Sequence, residues 1–191
     1  MLKDEILSLL KRRPVMRVHE IARVLRKNPN VVKAILHYMT KKGLVRRIVK
    51  GAYTISTDPK VVATWLYIPS YISMEYALFL RNIVEQIINV IQVMISFKIK
   101  NMEIEIYGQR VKFYRIPKRL MFGFNCEYSD DGFCYLIAEP EKAILDMLYH
   151  NKDLRAFTIH WDELDLDKLI MYSKEYPKRV RKRLELMLQH I

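Results

Sequence analysis

An α+β fold is predicted for this 191-residue chain, and three observations predict it. Apolar residues recur at helical spacing as far as Met39, apolar and charged residues alternate from Met102 to Phe113, and a third apolar run changes to helical spacing after Pro140. The charge is as unevenly divided as the patterns. Residues 1–60 carry 15 Lys+Arg against four Asp+Glu, a net +11, whereas the whole chain is only +12. Residues 61–176 carry 13 against 16, or −3, and the tail from Pro177 to Ile191 carries five against one, or +4. A discontinuity near residue 60 in a chain of this length predicts two domains, 1–60 and 61–191.

Leu2, Ile6, Leu9 and Leu10 predict a first helix that stops before Pro14, and Val18, Ile21, Ala22 and Leu25 a second. In the connection RKNPN, Asn28 suits an N-cap and Pro29 the first helical position, where its missing N–H costs nothing. A third helix then runs to about Lys42 and ends at Gly43, with Val32, Ile35, Leu36 and Met39 as its buried stripe. LVRRIVKGAYTIS follows, two short β-prone runs about Lys50-Gly51. Three helices and a strand pair in this order are the pattern of a winged helix-turn-helix.

After Asp58-Pro59 the texture turns aromatic and nearly neutral. SMEYALFL predicts a helix with Ser73 as N-cap, VIQVMIS a buried strand, and MEIEIYGQRVKFYRI a hairpin turning at Gly108. CYLIAEPEKAILDMLYH places a strand from Cys134 to Ile137 directly before a helix opened by Pro140. Leu164 to Ile170 and Val180 to Leu188 read as helices, with Pro177 restarting the last. The expectation for this domain is a mainly antiparallel sheet with C-terminal helices.

Composition excludes several function classes. Just over half the residues are apolar, which is ample for a core, and the most apolar stretch, Ile83 to Phe97, is interrupted by Glu85, Gln86, Asn89 and Gln92, so no membrane span is expected. The mixed charges of MLKDEILSLLKRR do not resemble a signal peptide, and a cytoplasmic protein is expected. Cys126 and Cys134 are expected as reduced thiols, although Asp130-Asp131-Gly132 between them leaves a cross-hairpin disulfide open. His19, His37, His150, His160 and His190 show no i, i+4 pair, Glu141 and Asp146 stand five apart, and Glu139 and Glu141 are explained by the dipole of the helix they begin. No phosphate-cradling, G-x-S-x-G or H-E-x-x-H motif occurs. No active site, metal or cofactor is therefore expected.

The basic N-terminal third points instead to double-stranded DNA. With its stripe facing inward, the third helix turns Asn30, Lys33, Ala34 and His37 outward, with Tyr38 and Lys41 at the flank. Asn pairs with adenine and Lys with guanine, so Asn30 and Lys33 are the candidate base readers, while Arg17, Arg46, Arg47 and Lys50 are candidate phosphate contacts. The competing reading is of merely solvated charges, or of a winged helix that serves protein contacts. Lys178, Arg179, Arg181, Lys182 and Arg183 on the last helix are either a solvated face packed by its leucines or a patch facing an anionic partner.

The order of GLVRRIVKGAY, YISMEYAL, FYRIPKRLMFGF and YLIAEPEKAILDMLY resembles the AbiE-type antitoxins and their stand-alone regulator relatives over nearly the whole chain, most specifically in Tyr71 to Leu78 and Ile137 to Tyr149. The resemblance implies an N-terminal domain that binds operator DNA and represses its own operon. It further implies a C-terminal domain that opposes a nucleotidyltransferase-type toxin without stable contact. Glu139 departs from the family, which usually has a small hydroxyl residue before the proline. Both motifs also make sense as cores: Tyr71 and Tyr76 would cover a sheet face, and Ala143, Ile144, Met147 and Leu148 would bury a helix against it.

Overall fold

The structure, a computed structural model, describes residues 2–100 and 102–189; His190 lies outside them. The chain divides into two compact units, Met1–Ile68 with Tyr128–Tyr135, and Pro69–Glu127 with Leu136–Ile191. The boundary expected at residue 60 thus moves to 68.

In the first unit, α1 (Leu2–Arg12), β1 (Val15–Arg17), α2 (Val18–Leu25) and α3 (Pro29–Lys41) precede β2 (Arg46–Val49), β3 (Ala52–Thr54) and α4 (Pro59–Leu66). The helices pack their apolar stripes into one core of Ile6, Leu10, Ile21, Val32, Leu36 and Met39, closed by Val45 and Tyr53 from the strand side. Burial of each such side chain contributes roughly 1.5–3 kcal/mol. Ile35, expected in the stripe, is only partly buried. The strands form an antiparallel sheet ordered β1-β3-β2. At three residues, β1 is too short for periodicity to reveal.

Helix α4 explains the shifted boundary. Asp58 caps it by accepting the Lys60 N–H at 2.7 Å, Pro59 stands at its first position, and Val61, Val62, Ala63 and Leu66 are buried. The Asp-Pro pair that marked the change of texture is therefore a helix start. The turn at residues 128–135 belongs with this unit: Asp131 accepts from the Ser56 hydroxyl at 2.6 Å and the Thr57 N–H at 2.9 Å, and the Trp65 indole donates to the Cys134 carbonyl at 2.6 Å. Burial pushes the Asp131 carboxyl up, but bonds from Ser129, Ser56 and the Thr57 and Asp58 amides outweigh it and hold the group below its ordinary range.

The second unit contains β4 (Ser70–Ile72), α5 (Met74–Leu80), β5 (Val90–Ile95), β6 (Glu103–Ile106), β7 (Gln109–Arg115), most of β8 (Phe124–Tyr128) and of β9 (Cys134–Ala138), α6 (Pro140–Tyr149), α7 (Leu166–Ser173) and α8 (Lys178–Leu188). Its six-stranded sheet, ordered β6-β7-β5-β4-β9-β8, is mixed rather than mainly antiparallel. The β6–β7 hairpin forms as its alternation predicts, but β7 then lies parallel to β5 from Val90↔Arg110 to Ile95↔Arg115, and β4 runs parallel to β9. Hairpin signals report only chain neighbours, so these pairings were hidden. Strand β5 is buried from Ile91 to Ile95, as suits a central strand with both faces covered. Helix α6 is buried from Glu141 to Leu148 and packs against α5, α7 and α8.

Cys126 and Cys134, expected as thiols, are disulfide-bonded. They stand on the adjacent strands β8 and β9, so the cross-hairpin alternative is the one adopted. Among the described residues no helix is long and apolar enough to cross a membrane.

Candidate nucleic-acid interface

Local chemistry sets the orientation of α3. The Asn28 side chain accepts the Asn30 N–H at 2.8 Å, satisfying a donor at the helix start, and Pro29 supplies a preset φ. Arg26, at φ 52, turns the chain out of α2, and Gly43, at φ 71, turns it out of α3. The Leu44 N–H closes that exit on the Met39 carbonyl at 2.9 Å. Because Val32, Leu36 and Met39 are fully buried, the opposite face must meet solvent. Asn30, Lys33, Ala34, His37, Tyr38 and Lys41 are all exposed there, as are Val31 and Lys42.

The strand candidates have a similar setting. Arg46 and Arg47 stand exposed on β2 opposite Thr54 and Tyr53, and a register shift follows between Arg47 and Val49. Lys50 is exposed at the turn, beside Gly51 at φ 79. Arg17, the fourth phosphate candidate, has a different setting. It is half-buried as the N-cap of α2, its guanidinium lies over the Tyr67 ring at 5.6 Å, and its N–H donates to Glu20 at 2.7 Å. Glu20 is also bound by Arg13 at 2.8 Å. Beyond Glu20 the next acid is Asp58: residues 21–57 contain nine Lys/Arg and no Asp or Glu, and all nine cations are exposed.

The second unit handles charge in the opposite way. Asp146, fully buried on α6, accepts four hydrogen bonds: Lys142 Nζ at 2.5 Å and Tyr176 Oη at 2.7 Å on Oδ1, Ser73 Oγ at 2.7 Å and Tyr71 Oη at 3.0 Å on Oδ2. Lys142, also fully buried, has its ammonium 5.1–5.3 Å from the ring centroids of Tyr71, Phe122 and Tyr176. Burial lowers the Lys142 pKa while Asp146 opposes the shift, and burial beside Asp146 pushes the Tyr71 and Tyr176 phenols well up. Ser73 was expected to cap α5; it makes no side-chain cap because its hydroxyl is spent on Asp146. A pair this enclosed has no room for a substrate and anchors the fold. The sequence signal for this pair is a Lys and an Asp four apart on an apolar helix, a spacing that Glu141 and Asp146 lack.

Glu139 and Glu141 do more than complement a helix dipole. Glu139 accepts the Tyr172 hydroxyl at 2.7 Å, and Lys168 lies 3.1 Å from Glu139 and 3.3 Å from Glu141. Burial raises the Glu139 pKa, but these bonds carry it below the usual value. The five bases of α8 separate into groups. Arg179 donates to the Tyr149 carbonyl, and Arg183 to the carbonyls of Leu148 and Lys152, so both bind the C-terminal end of α6. Arg179 stays exposed while it makes this bond, whereas Arg183 is half-buried. Lys178 and Lys182 are exposed, and Arg181 is partly buried.

Among the described residues no group of three His, Cys, Asp or Glu could hold a metal ion. No protein-family model matches the sequence, and no curated protein matches it.

Proposed function

We propose that the chain is a sequence-specific DNA-binding transcriptional repressor of the cytoplasm, not an enzyme, whose first unit is a winged helix-turn-helix with α3 as reading helix and β2–β3 as wing. The observation that carries this reading is the acid-free stretch 21–57 with its nine exposed cations. Nine like charges on a small unit repel one another, and a phosphate backbone offsets that repulsion while releasing counterions. Asn30 and Lys33 read bases, Arg46, Arg47 and Lys50 hold phosphates, and His37, Tyr38 and Lys41 flank the groove. Arg17, over Tyr67, steadies the start of α2 instead.

The resemblance to AbiE-type antitoxins extends the proposal to an autoregulating antitoxin that opposes a nucleotidyltransferase-type toxin. The two stretches carrying the resemblance meet in the core, where Tyr71 and Ser73 donate to Asp146. Lys178, Arg181 and Lys182 remain as its anion-facing surface.

Fluorescence anisotropy with the full chain tests the DNA reading. Affinity for duplex DNA should fall with salt, with a log–log slope of roughly −0.9 per phosphate neutralised. Arg46→Ala and Arg47→Ala should weaken operator and random duplex alike, whereas Asn30→Ala and Lys33→Ala should each cost about 1–3 kcal/mol of discrimination between them. Affinity that is indifferent to salt, or absent, leaves instead a protein-interaction module that protects against a toxin without reading DNA.

A further inference from the structure

The outward face of α3 is less polar than its surroundings. Ala34 stands four positions from Asn30 and three from Val31, so it adjoins both and links them into one patch on the first two turns. Val31 is 48% exposed, although the helix buries Val32 beside it completely. A β-branched residue lowers helix propensity slightly, and about half of the Val31 surface is left uncovered by the fold. The Asn30 N–H is taken by Asn28, while its carboxamide has no intramolecular partner among the described residues. Lys33 lies to one side of this patch and Lys41 and Lys42 at the far end of the helix, while Arg46, Arg47 and Lys50 are exposed on the strand pair.

In the major groove the one apolar group offered by base edges is the thymine C5-methyl, and the bidentate partner of an Asn carboxamide is adenine. We infer that α3 is built for an A·T-rich core site, with Val31 and Ala34 against thymine methyls, Asn30 on an adenine, and Lys33 on a flanking guanine. This inference rests on the proposed DNA reading and adds the class of site. The arrangement gives each group a separate task. The patch selects A·T pairs, Lys33 sets the register at the flank, and the surrounding cations hold phosphates whatever the sequence.

Selection of bound duplexes by the full-length protein from a randomised pool, followed by single replacement of each selected thymidine by deoxyuridine, tests it. Deoxyuridine keeps every hydrogen-bonding group and removes only the methyl. The selected duplexes should contain an A·T-rich core beside a guanine. Deoxyuridine should weaken binding about fourfold at one or two core positions, the worth of one buried methyl group. In Val31→Ser, an exposed substitution that leaves the core intact, the effect at one of those positions should vanish. Selected duplexes that are G·C-rich, or that bind equally well with deoxyuridine throughout, overturn the inference while leaving DNA binding in place. A pool from which no duplex is enriched overturns the DNA reading, and the inference with it.

Discussion

Lys33 and Lys142 are the same residue in opposite circumstances. Lys33 lies exposed on α3, within a stretch that holds no acid, so its charge is answered by water. Lys142 is fully enclosed on α6 and is answered on the spot by Asp146 and three aromatic rings. Removing an ion from water costs several kcal/mol, so a buried cation must bring its partner with it, whereas an exposed one stays available for an external anion. Net charge therefore indicates a ligand only when the charges concerned face solvent. Helix α8 makes the point within six residues, since Arg183 is half-buried and bound to the end of α6 while Lys178 and Lys182 face outward.

The sharpest way to break this contrast is to remove one half of the buried pair. Asp146→Ala strands the Lys142 ammonium and leaves three hydroxyls without their acceptor, so urea unfolding should show a loss of about 3–5 kcal/mol. Lys142→Met should cost less, because Tyr71, Ser73 and Tyr176 still donate to the carboxylate. Lys33→Met should leave stability within about 0.5 kcal/mol, as exposed substitutions usually do. Equal losses at Lys33 and Lys142 would undo the distinction between exposed and enclosed charge.

The cage around Lys142 also depends on Gly123. At φ 66, an added Cβ there would lie 2.9 Å from the Tyr172 ring and 3.2 Å from Lys142 Cβ, so Gly123→Ala combines backbone strain with a clash. A loss of about 2–3 kcal/mol in the same unfolding measurement is expected. Next in size comes Arg183→Ala. It should lower stability by about 1–2 kcal/mol through the freed carbonyls of Leu148 and Lys152, while Lys182→Ala leaves the thermal midpoint unchanged. Matching shifts for the two variants would return Arg183 to the solvated face.

The smallest effect is a pH dependence at His150. Burial lowers its pKa, Asp146 opposes this, and Lys152, Arg179 and Lys142 reinforce it; its buried Nε2 has no hydrogen-bond partner among the described residues, and its ring meets those of Tyr114 and Tyr149 edge-on. The unfolded chain therefore takes up a proton before the folded one. Stability is fully present above the ordinary histidine value near 6.5 and declines as pH falls toward the lowered folded value. Thermal midpoints recorded downward from pH 7.5 should fall in the native protein and stay flatter in His150→Phe over the same range. A steeper fall in the variant would reverse the sign assigned here.

What the sequence determined by itself lies in short stretches. Asn28 and Pro29 start α3, Val32, Leu36 and Met39 orient it, Gly43 ends it, and the Glu103 to Phe113 alternation makes a hairpin, because caps, stripes and pleats depend on neighbours within a few positions. The exposed face of α3 followed from the same local rules. Only the tertiary structure decided that β7 lies parallel to β5, that Arg179 and Arg183 bind the end of α6, and that Tyr71 reaches Asp146 across 75 positions of chain. It also turned Ser73 from a cap into a donor and joined the cysteines that composition suggested were free. A side chain's possible partners are set by its chemistry, but which of them it meets depends on which elements the core brings side by side.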